Sequence, residues 1–304
     1  MKIGFIGLGN MGGPMAANVA RAGHEVLAYD ADAARLAQFA AETGARAAAS
    51  LEELGSCEAV IAMLPTGAVV REVLLSAQDG GFLRNFHPDL LVIDMSSSEP
   101  VGTRELGAEL AKHDVRLVDA PVSGGMARAA DGTLAIMLGA DEETDARRAE
   151  PILCTMGARI FRTGPLGSGH AMKALNNYVS AASFAATAEA LLTGRRFGLD
   201  PAVMVDIMNV STGKNFHTEV VMKDHVVDRR FATGFKIGLL TKDVRIAVDL
   251  AEAMDVETPV LDLVYDRWKG ATDRLGADRD NSEAVLSWDR SRAEAQASRK
   301  AGAA

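Results

Sequence analysis

Lys2-Ile3-Gly4-Phe5-Ile6-Gly7-Leu8-Gly9-Asn10-Met11-Gly12 opens the chain and decides how the rest is read. A short strand-like run meets glycines spaced G-x-G-x-x-G, and an alanine-rich helical stretch follows at once. There the first glycine makes a tight turn, the second lets backbone approach a pyrophosphate, and the third lets helix and strand pack closely. The free amides and positive dipole end of the helix suit phosphate oxygens. Gly7, Gly9, Asn10, Met11 and Gly12 are therefore the expected phosphate cradle. Asp30 closes the second strand-like run 18 residues after Gly12. It reads either as an acceptor for ribose hydroxyls or as the cap of a turn. As a ribose acid it favours NAD over NADP, because a carboxylate repels a 2'-phosphate. Ala31 and Asp32 supply no cation, and Arg35 is several residues away in sequence.

Outward from this motif, β-branched and aliphatic runs alternate with helical stretches up to about Gly164. The runs are Lys2 to Leu8, Glu25 to Asp30, Ala59 to Leu64, Leu90 to Met95, Val115 to Val122, Leu134 to Leu138 and Arg159 to Phe161. Their solid apolar character predicts a mostly parallel sheet buried on both faces, an α/β, Rossmann-like domain over residues 1–164. After Gly164 the strands give way to Ala-, Leu-, Met- and Glu-rich stretches with helical period. Residues 165–290 are expected to form an all-helical domain for substrate and dimerisation. Its first helix should start near Ser168, a good N-cap, and run to about Thr193, spanning on the order of 40 Å and joining the two halves. Its small residues, Ala181, Ala182, Ser183, Ala185, Ala186 and Ala188, allow close packing of other helices or a second subunit. Residues 291–304 lack apolar periodicity and are expected to be a disordered tail.

Composition excludes several classes. A net charge of -9 and a pI near 5.2 disfavour any sequence-independent grip on nucleic acid. Hydrophobic residues make up 48% of the chain, yet no apolar run is long enough to span a bilayer. The start of the chain carries no cleavage site of the exported kind. The two cysteines, Cys57 and Cys154, are far apart, fit neither a disulfide framework nor a metal spacing, and are expected to be reduced core residues. The expectation is a cytoplasmic protein with no metal, no nucleic acid and no membrane among its partners.

Several strand ends carry polar chemistry. Met63-Leu64-Pro65-Thr66 and Asp94-Met95-Ser96-Ser97-Ser98 stand at carboxyl ends, where open α/β sheets bind ligands, though ordinary turn chemistry explains each equally well. Asp119-Ala120-Pro121-Val122-Ser123-Gly124-Gly125 offers a hydroxyl and exposed amides that suit a carboxylate, or simply a flexible turn. Gly167-Ser168-Gly169-His170-Ala171-Met172-Lys173-Ala174-Leu175-Asn176-Asn177 places an amine and an amide four residues apart, on one helix face. Lys173 either extends its stem to solvent or serves as a proton donor and acceptor.

In their order and spacing GFIGLGNMG, MLP, DMSSSEP, DAPVSGG, GSGHAMKALNN and Gly234-Phe235-Lys236-Ile237-Gly238-Leu239-Leu240-Thr241-Lys242-Asp243 form a specific set covering nearly the whole chain. The chain resembles the 3-hydroxyisobutyrate dehydrogenase family of β-hydroxyacid dehydrogenases, relatives of 6-phosphogluconate dehydrogenases. The resemblance implies a Rossmann-like domain, a helical domain and an active site in the cleft between them. It makes Lys173 catalytic, and assigns Ser123, Gly124 and Gly125 to the substrate carboxylate and Asn177 to substrate orientation. Lys242 and Asp243 match a pair that closes over the nicotinamide end, Asp243 on the substrate side and Lys242 with Phe235 on the cofactor side. Met63, Leu64, Pro65 and Ser96 join Asp30 and the glycine turn in holding the cofactor. The segment Ser211 to Glu219, with Asn215, Phe216 and His217, falls where the family varies its pocket. Imine reductases, relatives of this family, lack a lysine at the place of Lys173, which argues for alcohol chemistry here. The implied reaction moves a hydride between the β-hydroxyl carbon of a small acid and NAD, in a homodimer or homotetramer. The substrate stays open among 3-hydroxyisobutyrate, the tartronate semialdehyde and glycerate pair, serine, succinic semialdehyde and a sulfonated analogue. A dinucleotide-binding regulatory protein without turnover is the rival class, and it is disfavoured because lysine and substrate loop are both present.

Overall fold

A computed structural model describes residues 1–75 and 86–289; the expected tail over 291–304 lies outside the described residues. The chain divides into two compact units, Met1–Ala174 and Leu175–Ala304.

The first unit is built on β1 (Lys2–Ile6), β2 (Glu25–Tyr29), β3 (Arg46–Ala47), β4 (Ala59–Ala62), β5 (Leu91–Asp94) and β6 (Arg116–Asp119). They lie side by side in the order β3-β2-β1-β4-β5-β6, all parallel. This is the doubly wound order of dinucleotide-binding domains, and it reverses direction between β1 and β4. Successive side chains of a strand face opposite ways, so one short run feeds two cores. Ile3 and Phe5 pack with Ile61 and Ile93 on one face, while Ile6 packs with Val60 and Val92 on the other. Helices α1 (Gly12–Arg21), α2 (Ala33–Thr43), α3 (Leu51–Leu54), α4 (Gly67–Leu75) and α5 (Pro100–Ala111) alternate with these strands.

Beyond β6 the sheet departs from the expected run. The stretch from Val115 to Val122 breaks at Ala120-Pro121, because proline has no N–H for the ladder. β7 (Val122–Ser123) resumes after it and pairs antiparallel with β8 (Leu134–Gly139). α6 (Gly125–Asp131) and α7 (Glu143–Leu153) flank β8 in sequence. β9 (Gly157–Gly164) is longer than predicted and is not buried on both faces: Phe161 is 50% exposed. Among the described residues β9 pairs with β8 alone, and its Arg162 reaches Glu143 and Glu150, the charged dress expected of an edge strand. Cys57 is buried, but Cys154, at the end of α7, is exposed and not a core residue.

The second unit is helical. α8 (Ser168–Phe197) starts in the first unit and continues into the second, followed by α9 (Pro201–Asn209), a π-helix (His217–Val227), α10 (Ile237–Ala253), α11 (Pro259–Leu275), a single 3₁₀ turn (Asn281–Glu283) and α12 (Ala284–Trp288). Its core is aromatic: Phe184, Trp268 and Trp288 stand with ring centroids 5.2 to 5.9 Å apart. The Trp268 indole donates to the Ala181 carbonyl at 3.1 Å, satisfying its one polar group. Among the described residues no helix is long and apolar enough to cross a membrane, and no group of His, Cys, Asp and Glu could hold a metal ion.

Candidate active site

The three glycines after β1 serve two purposes. Gly7 has φ +93°, and a Cβ there would lie 2.3 Å from the Met63 carbonyl oxygen. Gly12 opens α1, where a Cβ would meet the Gly7 carbonyl oxygen at 1.9 Å. Gly9 has nothing within 4 Å of its Cβ position and is exposed, next to Asn10 and Met11. Two glycines thus let backbone pack, and the third leaves open ground before a helix N-terminus. The cradle fits a pyrophosphate.

Asp30 ties this turn to the next strand. Its Oδ2 accepts from Leu8 N at 2.7 Å and its Oδ1 from Asp32 N at 2.8 Å. The expectation that no cation stands near is corrected by Arg35, whose Nη1 lies 3.3 Å from Asp30 Oδ1, with Nη2 3.4 Å from Asp32 Oδ2. Asp32 caps α2 by accepting from Ala34 N and Arg35 N, so the first helical turn brings Arg35 back over Asp30. Sequence distance hid this; the Asp-x-x-Arg spacing across a helix start is the signal that reveals it. At the end of β4, Met63 N donates to the Ile6 carbonyl and Leu64 N to Ser96 Oγ at 2.9 Å. Ser96 is buried, so its hydroxyl serves the Met63-Leu64-Pro65 loop.

The Ser123 loop leaves β7 through two glycines that need left-handed backbone, Gly124 at φ 140° and Gly125 at φ 69°. Any side chain there is strained. Ser123 is half-buried and both glycines are exposed at the start of α6. Asp119, at the root of this loop, is fully buried and stands in register with Asp94 on one side and Gly139 on the other. Its Oδ1 accepts from Gly167 N and its Oδ2 from His170 N, both at 2.7 Å. A distant aspartate therefore satisfies the first turn of α8. The expected cap, Ser168, is instead the first helical residue, and its hydroxyl bonds Thr163 Oγ1 at 2.8 Å. Burial pushes the Asp119 carboxyl up, opposed by the His170 imidazole and the two amides. His170 is buried too: its Nδ1 lies 2.8 Å from Thr103 Oγ1 and its Nε2 lies 3.7 Å from Asp94 Oδ2. Asp119, Asp94 and His170 were not among the predicted site residues. Lys173 stands half-buried one residue before the end of this unit.

One helical turn further along α8, Asn177 is buried and its Nδ2 donates to Asp243 Oδ2 at 2.6 Å. Asn176 Nδ2 donates to Asn177 Oδ1 at 3.2 Å. Lys242 Nζ lies 3.4 Å from Asp243 Oδ1, an ion pair by distance without hydrogen-bond alignment, since that oxygen has no hydrogen-bond partner. Asn177, Lys242 and Asp243 thus form one polar group of the second unit. Phe235 is half-buried in the same unit, its carbonyl accepting from Asn281 N at 2.8 Å.

In the segment Ser211 to Glu219, Phe216 is exposed while His217 is only 4% exposed, packed edge-on to Phe184 at 5.2 Å. His217 Nε2 donates to the Ser180 carbonyl at 2.9 Å, and Nδ1 has no hydrogen-bond partner. Burial lowers its pKa from 6.5 to about 4. The folded state therefore prefers the neutral ring. Its contribution is complete above about pH 6.5 and is lost as pH falls towards 4, a change worth on the order of 3 kcal/mol. Denaturant titrations at pH 7 and pH 4.5 should show His217→Asn losing less stability between the two than the parent; equal losses contradict this role.

Residues 2–164 match the NAD-binding domain of 6-phosphogluconate dehydrogenase, and residues 167–288 match the NAD-binding domain of NADP-dependent 3-hydroxyisobutyrate dehydrogenase. The chain is 38% identical to a 3-hydroxyisobutyrate dehydrogenase of Pseudomonas aeruginosa over 85% of its own length and 88% of that protein. It is 34% identical to a 2-(hydroxymethyl)glutarate dehydrogenase of Eubacterium barkeri over 94% of each. The solved structure of Mycobacterium tuberculosis 3-hydroxyisobutyrate dehydrogenase with L-serine superposes with a TM-score of 0.87 at 33% identity, covering 95% of this chain and 99% of that one. With the glycine cradle, the Ser123 loop and the lysine helix, these matches make the chain a member of the 3-hydroxyisobutyrate dehydrogenase family of NAD-dependent β-hydroxyacid dehydrogenases.

Proposed function

We propose that this protein oxidises a small β-hydroxyacid to its semialdehyde, and runs the reverse reduction, with NAD. NAD, when bound, takes up the hydride released from the hydroxyl-bearing carbon. Gly7, Gly9, Asn10, Met11 and Gly12 hold its pyrophosphate, Asp30 its adenosine ribose, and the loops at Met63-Leu64-Pro65 and Ser96, with Phe235 and Lys242, the rest. Ser123, Gly124 and Gly125 bind the substrate carboxylate. Lys173 takes the hydroxyl proton during oxidation and returns it during reduction; the carbon gives up hydride readily only as its oxygen becomes alkoxide-like. Asn177 orients the hydroxyl, and Asp243 holds the Asn177 amide in place. The observation that carries this reading is the pair of 2.7 Å bonds by which Asp119, at the root of the Ser123 loop, holds the first turn of the helix bearing Lys173.

The relatives share one chemical pattern. Their names specify 3-hydroxyisobutyrate, 2-(hydroxymethyl)glutarate and L-serine, each a carboxylic acid with a hydroxymethyl group on its α-carbon. A panel of such acids assayed for NAD reduction, with the semialdehydes run in reverse, identifies the substrate. On every active acid the methyl ester should lose most of kcat/KM, because it carries no negative charge and cannot make the stronger charge-assisted hydrogen bonds of a carboxylate. Equal efficiency for acid and ester overturns the carboxylate assignment. We further propose a domain division near Gly164, a cytoplasmic location and a homodimer or homotetramer. The small residues of α8 and the free cysteines Cys57 and Cys154 support these readings, and sedimentation of the purified protein tests the last.

A further inference from the structure

Two buried carboxylates and a buried imidazole lie together beneath the start of α8, and the reaction as proposed uses none of them. Asp94 ends β5 and Asp119 ends β6, side by side in the sheet. Asp94 Oδ1 accepts from Ser96 N at 2.9 Å and Oδ2 from Ser98 Oγ at 2.8 Å, so it organises its own strand end. Asp119 does something different: both its oxygens are spent on amides 48 and 51 residues further along the chain, those of Gly167 and His170. Desolvating a carboxylate is costly unless charge-assisted hydrogen bonds replace water. Here the replacements are free donors of the first turn of α8, which have no partner inside the helix.

The surrounding sequence is built to admit this contact. A Cβ on Gly139, across the ladder, would lie 2.3 Å from Asp119 Oδ1. A Cβ on Gly169 would lie 2.2 Å from the Met137 carbonyl oxygen and 2.8 Å from Asp119 Oδ2. Both glycines are needed to let the helix start sit directly on the strand ends. His170 adds a second strut. The Thr103 hydroxyl lies 3.0 Å from the Glu99 carbonyl and donates its single proton there, so its oxygen accepts from His170 Nδ1–H. The other ring nitrogen faces Asp94.

Taking Lys173 as the proton-transfer residue, we propose that Asp119 is its positioning residue. Its buried carboxylate fastens the first turn of α8 to the root of the Ser123–Gly125 loop, so that amine and anion-binding loop form one rigid frame. Lys173 follows His170 by three residues, less than one helical turn. Ser123 follows Asp119 by four residues, and the Ala120-Pro121 break leaves little slack between them. The carboxylate touches neither substrate nor cofactor and acts only through the helix.

A double-mutant cycle tests this. Asp119→Asn keeps the volume but replaces one acceptor with a donor facing an amide. Misplacement of about 1 Å at a reacting centre costs roughly 10²-fold, so kcat on the best substrate should fall by about that factor, with NAD affinity and KM little changed. In the Lys173→Ala background the same substitution should lower kcat no further, because residues acting as one unit are non-additive. Thr103→Val keeps both carboxylates and removes only the hydroxyl that holds His170; it should lower kcat in the same direction by a smaller factor, and it decides the matter if Asp119→Asn does not fold. Wild-type kcat in both variants, or a loss from Asp119→Asn that adds fully to that of Lys173→Ala, overturns the proposal while leaving Lys173 in its role. Full kcat in Lys173→Ala alone overturns both.

Discussion

Lys173→Ala lowers kcat by about 10²- to 10⁴-fold, the range for removal of a general acid/base group, and leaves NAD affinity where it was. The separation follows from where the groups lie in the fold. In the proposed site the pyrophosphate and the adenosine ribose are held by the β1 turn and Asp30, in elements of the chain remote in sequence from Lys173. Lys173 belongs to the first turns of α8, whose start is tied to Asp119 at the end of β6. Asn177→Ala should cost less than Lys173→Ala, because in its proposed role the amide orients the hydroxyl and moves no proton. Its removal also leaves Asp243 buried with one fewer partner, so part of its cost should appear as lower stability. Steady-state kinetics with fluorescence titration of NAD separates the effects. A Lys173→Ala enzyme with near-normal kcat, or with lost NAD binding as its main defect, refutes the assignment.

What could be read from the sequence, and what could not, divides by range of interaction. The GxGxxG turn, the strand runs and the switch to helix at Gly164 are local patterns, set by glycine sterics and hydrophobic period, and they lead directly to the doubly wound sheet and the helical unit. The β9 edge was misjudged because apolar character cannot tell an interior strand from an outer one; Arg159 and Arg162 were the available hint. Ser168 was expected to cap α8 because a hydroxyl at a helix start usually does so. The cap is Asp119, and nothing local to Ser168 reveals a partner nearly fifty residues earlier. Of the site, the residues carrying motifs were legible, while those that hold them were not. Asp94, His170 and Thr103 read singly as ordinary polar residues and gain meaning only when the sheet brings them under one helix.

The second large effect concerns cofactor choice. Asp30 is nearly buried, with its side chain 8% exposed, and it holds both the glycine turn and Arg35. In its proposed role the carboxylate favours the free ribose hydroxyls of NAD by its charge, and it pairs with the Arg35 guanidinium. Asp30→Asn removes the repulsion, retains an acceptor for one of the two amides, Leu8 N or Asp32 N, and leaves Arg35 held only by the more exposed Asp32. Arg35 then stands beside the position the Asp30 carboxylate occupied, and guanidinium suits phosphate by planar, paired hydrogen bonds. A charged hydrogen bond contributes about 1.5 to 3 kcal/mol, and each 1.4 kcal/mol is tenfold. Losing one such contact to NAD and gaining one to NADP should therefore shift the ratio of their kcat/KM values by roughly 10²-fold or more. Asp30→Asn combined with Arg35→Ala should lose the NADP gain while keeping the NAD loss, which separates the cation's part from the carboxylate's. An unmodified enzyme more efficient with NADP, or an Asp30→Asn enzyme with an unchanged ratio, shows that neither residue sets the preference.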